Sequence, residues 1–133
     1  MAAPRMMDAG DEADVNVSWT DQNNINTFSR LNSRLDALEA RYEGRKKEKE
    51  DLDDLVAELE LCDDDEIIKY RVGDVFVNAP YERVKEWLER DLAAIDTDVS
   101  SLKDSMDDLV AQMDKLKSIL YKRFGSSINL ERS

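Results

Sequence analysis

The sequence predicts a mainly α-helical fold: one long antiparallel coiled-coil hairpin whose two helices are joined by a small β-hairpin. Three observations carry that prediction. In the second half, positions spaced alternately four and three apart are all apolar: Leu88, Leu92, Ile95, Val99, Leu102, Met106, Leu109, Met113, Leu116 and Leu120. A mean step of about 3.5 residues keeps one narrow stripe facing a partner helix, which marks a coiled-coil seam and not a globular-core helix. In the first half the same rhythm runs through Phe28, Leu31, Leu35, Leu38, Tyr42, Arg45, Lys49, Leu52, Val56 and Leu59, broken only by Arg45 and Lys49. Between the two seams, IIKYRVGDVFV sets β-branched and aromatic residues on both sides of Gly73-Asp74, a favoured two-residue hairpin turn.

The elements follow in order. Residues 1–14 are acidic, hold Pro4 and Gly10 and have nothing to bury, so a disordered tail is expected there. The coiled-coil domain is expected over 15–131, with a C-terminal tail over 126–133. The first helix is expected over about 18–62: Ser18 followed by Asp21 is a helix start of the S/T-x-x-D/E type, and the acidic run at Asp63 to Glu66 closes it. The β-hairpin is expected over about 67–77. With Gly73-Asp74 as its turn, Val72 faces Val75 and Tyr70 faces Val77. Ile68, Tyr70, Val72, Val75 and Val77 then share one side, with Lys69, Arg71 and Phe76 on the other. The second helix is expected over about 79–124, with Pro80 in its first turn behind Asn78 or Ala79 as cap. Its C-terminal end is marked by Lys122 and Arg123, followed by Gly125. Two helices of roughly 42 to 45 residues, each about 65 Å long, joined by a short connector, predict an antiparallel pair.

Composition removes several function classes. The chain has 133 residues, 31 acidic and 19 basic, and a formal net charge of −12. That sign argues against nucleic acid and anionic membrane as partners. There is no histidine, so the commonest general base and metal ligand is absent. Cys62 is the only cysteine, which fits a reducing compartment. No stretch has the roughly 20 apolar residues of a membrane span, and the first residues lack the apolar core of a signal peptide. A protein of the cytoplasm, with the nucleus as a second compartment, and without cofactor is expected. No nucleophile–base pair or phosphate-binding glycine loop supports an enzyme. The run from Asp63 to Glu66 lacks the alternating spacing and turn glycine of a calcium loop, so it reads as a solvated turn.

A lone two-stranded hairpin is marginal in water and leaves two edges unpaired. Assembly through Ile68, Tyr70, Val72, Gly73, Asp74, Val75, Phe76 and Val77 is therefore expected. On heptads alone, a structural adaptor or tether is the alternative.

Three strings add a family resemblance: DVNVSWTDQNNIN at 14–26, YRVGDVF at 70–76 and LYKRFGSSINLE at 120–131. With the helix lengths and the single hairpin, they make the chain similar to the prefoldins, in their β-class. Two positions depart from the family's habit: Lys69 stands where proline is frequent, and Asn78-Ala79-Pro80 replaces a serine-rich cap. The resemblance implies a heterohexamer of two α-class and four β-class subunits, so that this chain would join two α-class and three further β-class partners. It implies capture of unfolded actin and tubulin at coiled-coil tips and delivery to the cytosolic group II chaperonin, without nucleotide.

Pairing the seams antiparallel gathers the apolar residues flanking them at the end away from the hairpin: Val15, Val17, Trp19, Ile25, Phe28, Tyr121, Phe124, Ile128 and Leu130. Two helices offer little bulk to bury them all, and an exposed apolar cluster marks an interaction site. The candidate client-binding set is Ile25, Phe28, Leu31, Tyr121, Phe124, Ile128 and Leu130. The competing reading closes the seam with Phe28 and Leu120 and packs Trp19 as a helix staple. Arg45 and Lys49 are placed near Val99 and Leu102, within reach of Asp98 or Asp104. There they either snorkel to solvent or set register in a helix softened by Gly44.

Overall fold

The computed structural model describes residues 18–125 and 128–130. The expected N-terminal tail, Val15, Val17 and all but Ile128, Asn129 and Leu130 of the expected C-terminal tail lie outside those residues. The elements are α1 (Trp19–Glu60), β1 (Ile67–Val72), β2 (Val75–Pro80) and α2 (Tyr81–Phe124).

Helix α1 starts on a reciprocal cap. The Asp21 amide donates to Ser18 Oγ at 3.0 Å and the Ser18 amide donates to Asp21 Oδ2 at 3.4 Å, which satisfies two of the free donors of the first turn. At its other end, the Leu61 amide donates to the Glu58 carbonyl and the Cys62 amide to the Leu59 carbonyl. These tighter i to i−3 bonds end the helix. The acidic run after it is an exposed turn, closed by the Glu66 amide donating to the Asp63 carbonyl.

Strands β1 and β2 pair antiparallel, with Val72 opposite Val75, Tyr70 opposite Val77, Ile68 opposite Ala79 and Ile67 opposite Pro80. Gly73 has φ +62° while no other turn residue is left-handed, the pattern of a type II′ turn with glycine at its first central position. Pro80 differs from its expected place. It ends β2 instead of opening α2, because the ladder continues past Val77, and the Tyr81 amide still donates to the Glu66 carbonyl. Proline suits this end of a strand, where its missing N–H would face outward.

The described residues fall into two compact units, one formed by 40–103 and the other by the described parts of 1–39 and 104–133. In the first, Leu59, Tyr70, Ala79, Val84 and Leu88 form a buried core flanked by Leu52, Val56, Ile68, Tyr81, Trp87 and Leu92. In the second, Ile25, Phe28, Leu35, Leu109, Met113, Leu120, Phe124 and Leu130 are buried together, with Leu31, Leu38, Met106, Leu116, Tyr121 and Ile128 packed against them. Every position of the two predicted seams is buried or half-buried.

Candidate functional site

Two surfaces are candidates: the open sheet of the hairpin unit and the apolar cluster of the other unit. Register and hydrogen bonding together decide which backbone groups of the sheet point outward. In an antiparallel ladder, directly opposed residues alternate between exchanging both their hydrogen bonds and exchanging none. The bond from Tyr81 to Glu66 fixes the phase, so Ile68, Tyr70 and Val72 are satisfied inside the ladder. The N–H and C=O groups of Ile67, Lys69 and Arg71 face outward from β1. Those of Phe76 and Asn78, with the Pro80 carbonyl, face outward from β2.

One face of the sheet packs on its own unit and the other stays open. Tyr70 is 6% exposed and Ala79 5%, and Ile68 and Val77 beside them are half-buried. Val72 and Val75 lie on the same side by register but remain exposed near the turn. On the opposite face Ile67 and Phe76 are 67% and 62% exposed. Lys69 and Arg71 interleave with them: Lys69 Nζ lies 5.6 Å from the Phe76 ring centroid, and Arg71 Nε donates to the Gly73 carbonyl at 2.9 Å. Two cations limit indiscriminate pairing of an edge this apolar.

The packed face is held by a contact that heptad spacing does not reveal. The Tyr70 hydroxyl donates to Asp91 Oδ2 at 2.8 Å, and its ring centroid lies 6.1 Å from that of Trp87. Burial pushes the Tyr70 phenol well above its usual value, and the hydrogen bond to the Asp91 carboxylate pushes it further. Val84, only 2% exposed, was also outside the predicted seam: it lies four residues before Leu88, where the alternating rhythm calls for a step of three and reaches Lys85.

At the seam charges, Arg45 bonds Glu48 at 2.8 Å and lies 3.5 Å from Asp98, one of the two expected partners, while Lys49 Nζ is 2.7 Å from Asp96, which was not among them. The hydrogen bonds to Glu48 and Asp96 raise the two cations' pKa values above their ordinary ranges. Cys62 is half-buried, and burial followed by the Glu66 hydrogen bond raises its thiol pKa, the reverse of a reactive thiolate.

The apolar cluster differs most from expectation. Two helices were expected to supply too little bulk to bury the whole candidate set. Instead Ile25, Phe28, Phe124 and Leu130 are buried, and Leu31, Tyr121 and Ile128 are half-buried. The missing bulk comes from residues 128–130, which lie against the helices: the Leu130 amide donates to the Tyr121 hydroxyl at 3.3 Å. Trp19 is not a staple. It is 82% exposed, the most exposed large apolar residue of this unit. Asp21 is 8% exposed and accepts a hydrogen bond from Arg123 Nε at 2.9 Å. Burial alone would raise the Asp21 carboxyl pKa, but the hydrogen bonds from Arg123 and Ser18 outweigh it and hold it below 3.8.

A paired helix seam, a single two-stranded hairpin with open edges and an apolar cluster at the helix termini find their counterpart in one family model, described as Prefoldin subunit, which matches residues 22–127. The chain belongs to the prefoldin subunit family. It is 39% identical over 127 residues to prefoldin subunit 4 of Saccharomyces cerevisiae, covering 96% of this chain and 98% of that one. It is 37% identical over 119 residues to prefoldin subunit 4 of Homo sapiens, covering 89% of each. Among solved structures, the prefoldin beta subunit from Thermococcus strain KS-1 superposes with a TM-score of 0.73 over 84% of this chain and 97% of that one, at 14% identity. The fold is thus that of a prefoldin β subunit, and prefoldin is a co-chaperone complex.

Proposed function

We propose that this chain is a β-class, subunit-4-type member of a heterohexameric prefoldin, joining two α-class and three further β-class subunits through its β-hairpin. The observation that carries this reading is the open sheet. A two-stranded sheet with outward-facing groups at Ile67, Lys69, Arg71, Phe76 and Asn78, and with Ile67 and Phe76 exposed, is incomplete alone. Hairpins from sister subunits complete it through main-chain hydrogen bonds, with apolar side chains setting the order of neighbours.

In this proposal the complex works without catalysis, nucleotide or metal. Unfolded polypeptides, actin and tubulin among them, are held at the unit that carries the helix termini. Trp19, Leu31 and Tyr121 offer the accessible part of that surface, Ile25, Phe28 and Phe124 the buried part, and Ile128 and Leu130 lie against it. Each contact is weak. Several subunits acting together raise avidity by roughly 10² to 10⁴, and weak single contacts allow release to the cytosolic group II chaperonin. The net charge of −12 on this chain disfavours nucleic acid and anionic lipid as its partners, in keeping with a site of action in the cytoplasm and, as a second compartment, the nucleus.

Native mass spectrometry of the tagged chain purified from its own cells tests the assembly. A heterohexamer with five other small coiled-coil chains is expected; a homodimer or a single large partner would overturn it. Suppression of aggregation of denatured actin by that hexamer, reduced by Trp19→Ser with assembly unchanged, tests the assigned surface.

A further inference from the structure

We infer that the groove beneath Leu130 is a peptide-binding site that the chain's own Ile128-Asn129-Leu130 segment occupies, and that an extended apolar segment of a client displaces it there. The inference rests on the client-binding reading above and specifies its ligand. Ile128 is half-buried, Asn129 exposed and Leu130 buried, the alternation of an extended chain laid on a surface. Leu130 is 8% exposed and packs in one cluster with Phe28, Leu35 and Met113. Its amide donates to the Tyr121 hydroxyl at 3.3 Å. An apolar residue, a spacer and a second apolar residue with a free backbone N–H are features that any unfolded polypeptide supplies many times over.

The seat is also larger than its occupant. A cavity of about 60 Å³ remains beside Leu130, lined by Phe28, Leu35, Val110 and Met113 among others. That is several times the 10–15 Å³ or so that a single water needs. A phenylalanine or methionine in the place of Leu130 therefore gains contacts that leucine leaves unmade. The segment follows Gly125, whose φ of +60° turns the chain off α2. A short segment outside any helix or strand belongs to the part of a structure that opens first. Phe28, Leu35, Met113 and Leu120 face one another across the seam and keep their mutual contacts when it leaves.

The test uses the assembled complex and a short fluorescein-labelled peptide with isoleucine and phenylalanine two residues apart, read by anisotropy. If the segment occupies the groove most of the time, freeing the site by Ile128→Ser with Leu130→Ser tightens peptide binding by about tenfold, since apparent affinity scales with the competent fraction. Unchanged or weaker binding overturns the inference. Val110 is 42% exposed, so Val110→Glu spares the fold; added to the serine variant it should cancel the gain. A gain that survives Val110→Glu places the peptide elsewhere and also overturns it. Should the serine variant lose the wild-type thermal transition, Ile128→Ser alone decides instead, since it loosens the occupant and leaves the groove and the Tyr121 hydroxyl in place: about threefold tighter binding is expected, and no change overturns. If the wild-type complex assembles but neither it nor any variant binds peptide, the client-binding reading itself fails. Normal wild-type binding with no gain in the variants removes only the self-occupied groove.

Discussion

Arg123 in the last turn of α2 donates from Nε to Oδ2 of Asp21 in the first turn of α1 at 2.9 Å. The same carboxylate caps the α1 N-terminus with Ser18. One buried oxygen thereby serves a helix start and a cation at a helix end, two places where the backbone dipoles favour those charges. Neither residue is one of the apolar seam positions, so the pair joins the helix ends by charge where the apolar stripe stops.

Asp21→Asn should accordingly lower the stability of this unit by about 1 kcal/mol at neutral pH, a figure kept modest because the Arg123 side chain is 41% exposed. The pH dependence has a definite sign. The folded Asp21 carboxyl sits below 3.8, so its contribution is complete above that value and is lost as pH falls through the folded value. Urea midpoints of wild type and Asp21→Asn should differ at pH 7 and converge in acid. A gap that never narrows as the pH falls would show that the carboxylate charge is not what stabilises the pair.

Tyr70→Phe should cost about 1 kcal/mol, because it removes a hydrogen bond to a charged acceptor while keeping the ring stacked near Trp87. Here the sign is reversed. The folded phenol titrates above its ordinary value of 10.0, so the stabilisation is complete below that value and fades as pH rises through the folded one. In an ultraviolet titration of the four tyrosines, one should ionise late or only on unfolding. Tyr70→Phe should remove that component and no other.

The seams, the cap at Ser18 and Asp21, and the register around Gly73-Asp74 were legible because each is local: a repeat, a spacing of three, a turn dipeptide. Pro80 was misplaced because a proline preceding a helical pattern reads as a first-turn residue. Only the long-range bond between Tyr81 and Glu66 shows the ladder still running at that point. The buried state of Phe124 and Leu130 was hidden for a similar reason. Ile128 and Leu130 carry no helical rhythm, and nothing in their spacing says that they fold back onto residues 100 positions earlier. Tyr70 and Asp91 meet only because the hairpin lies on α2. Chemistry between elements, unlike pattern within them, has no signature along the chain.

Arg45 and Lys49 occupy seam positions and satisfy them with ion pairs to Asp98 and Asp96 on half-exposed side chains. Such pairs add little, whereas leucine at both positions would extend the apolar stripe. Arg45→Leu with Lys49→Leu should therefore raise the melting temperature of the chain. A fall in melting temperature by calorimetry would assign the two cations a register-setting role.

Gly73 joins sheet geometry to assembly. At φ +62° an L-residue with a Cβ is strained by roughly 1–2 kcal/mol, although open space surrounds the position and no neighbour would be struck. Gly73→Ala should therefore act through the backbone alone. It should distort the turn, shift the outward groups of Ile67, Lys69 and Arg71 relative to those of Phe76 and Asn78, and leave both helix seams intact. Helical content by circular dichroism should stay at the wild-type level while the share of intact complex in native mass spectrometry falls. Semisynthesis with D-alanine at the same position adds the methyl group in the configuration that a positive φ favours, and assembly should return. Loss of assembly with D-alanine as well would mean that the methyl group, and not the backbone angle, disturbs the interface.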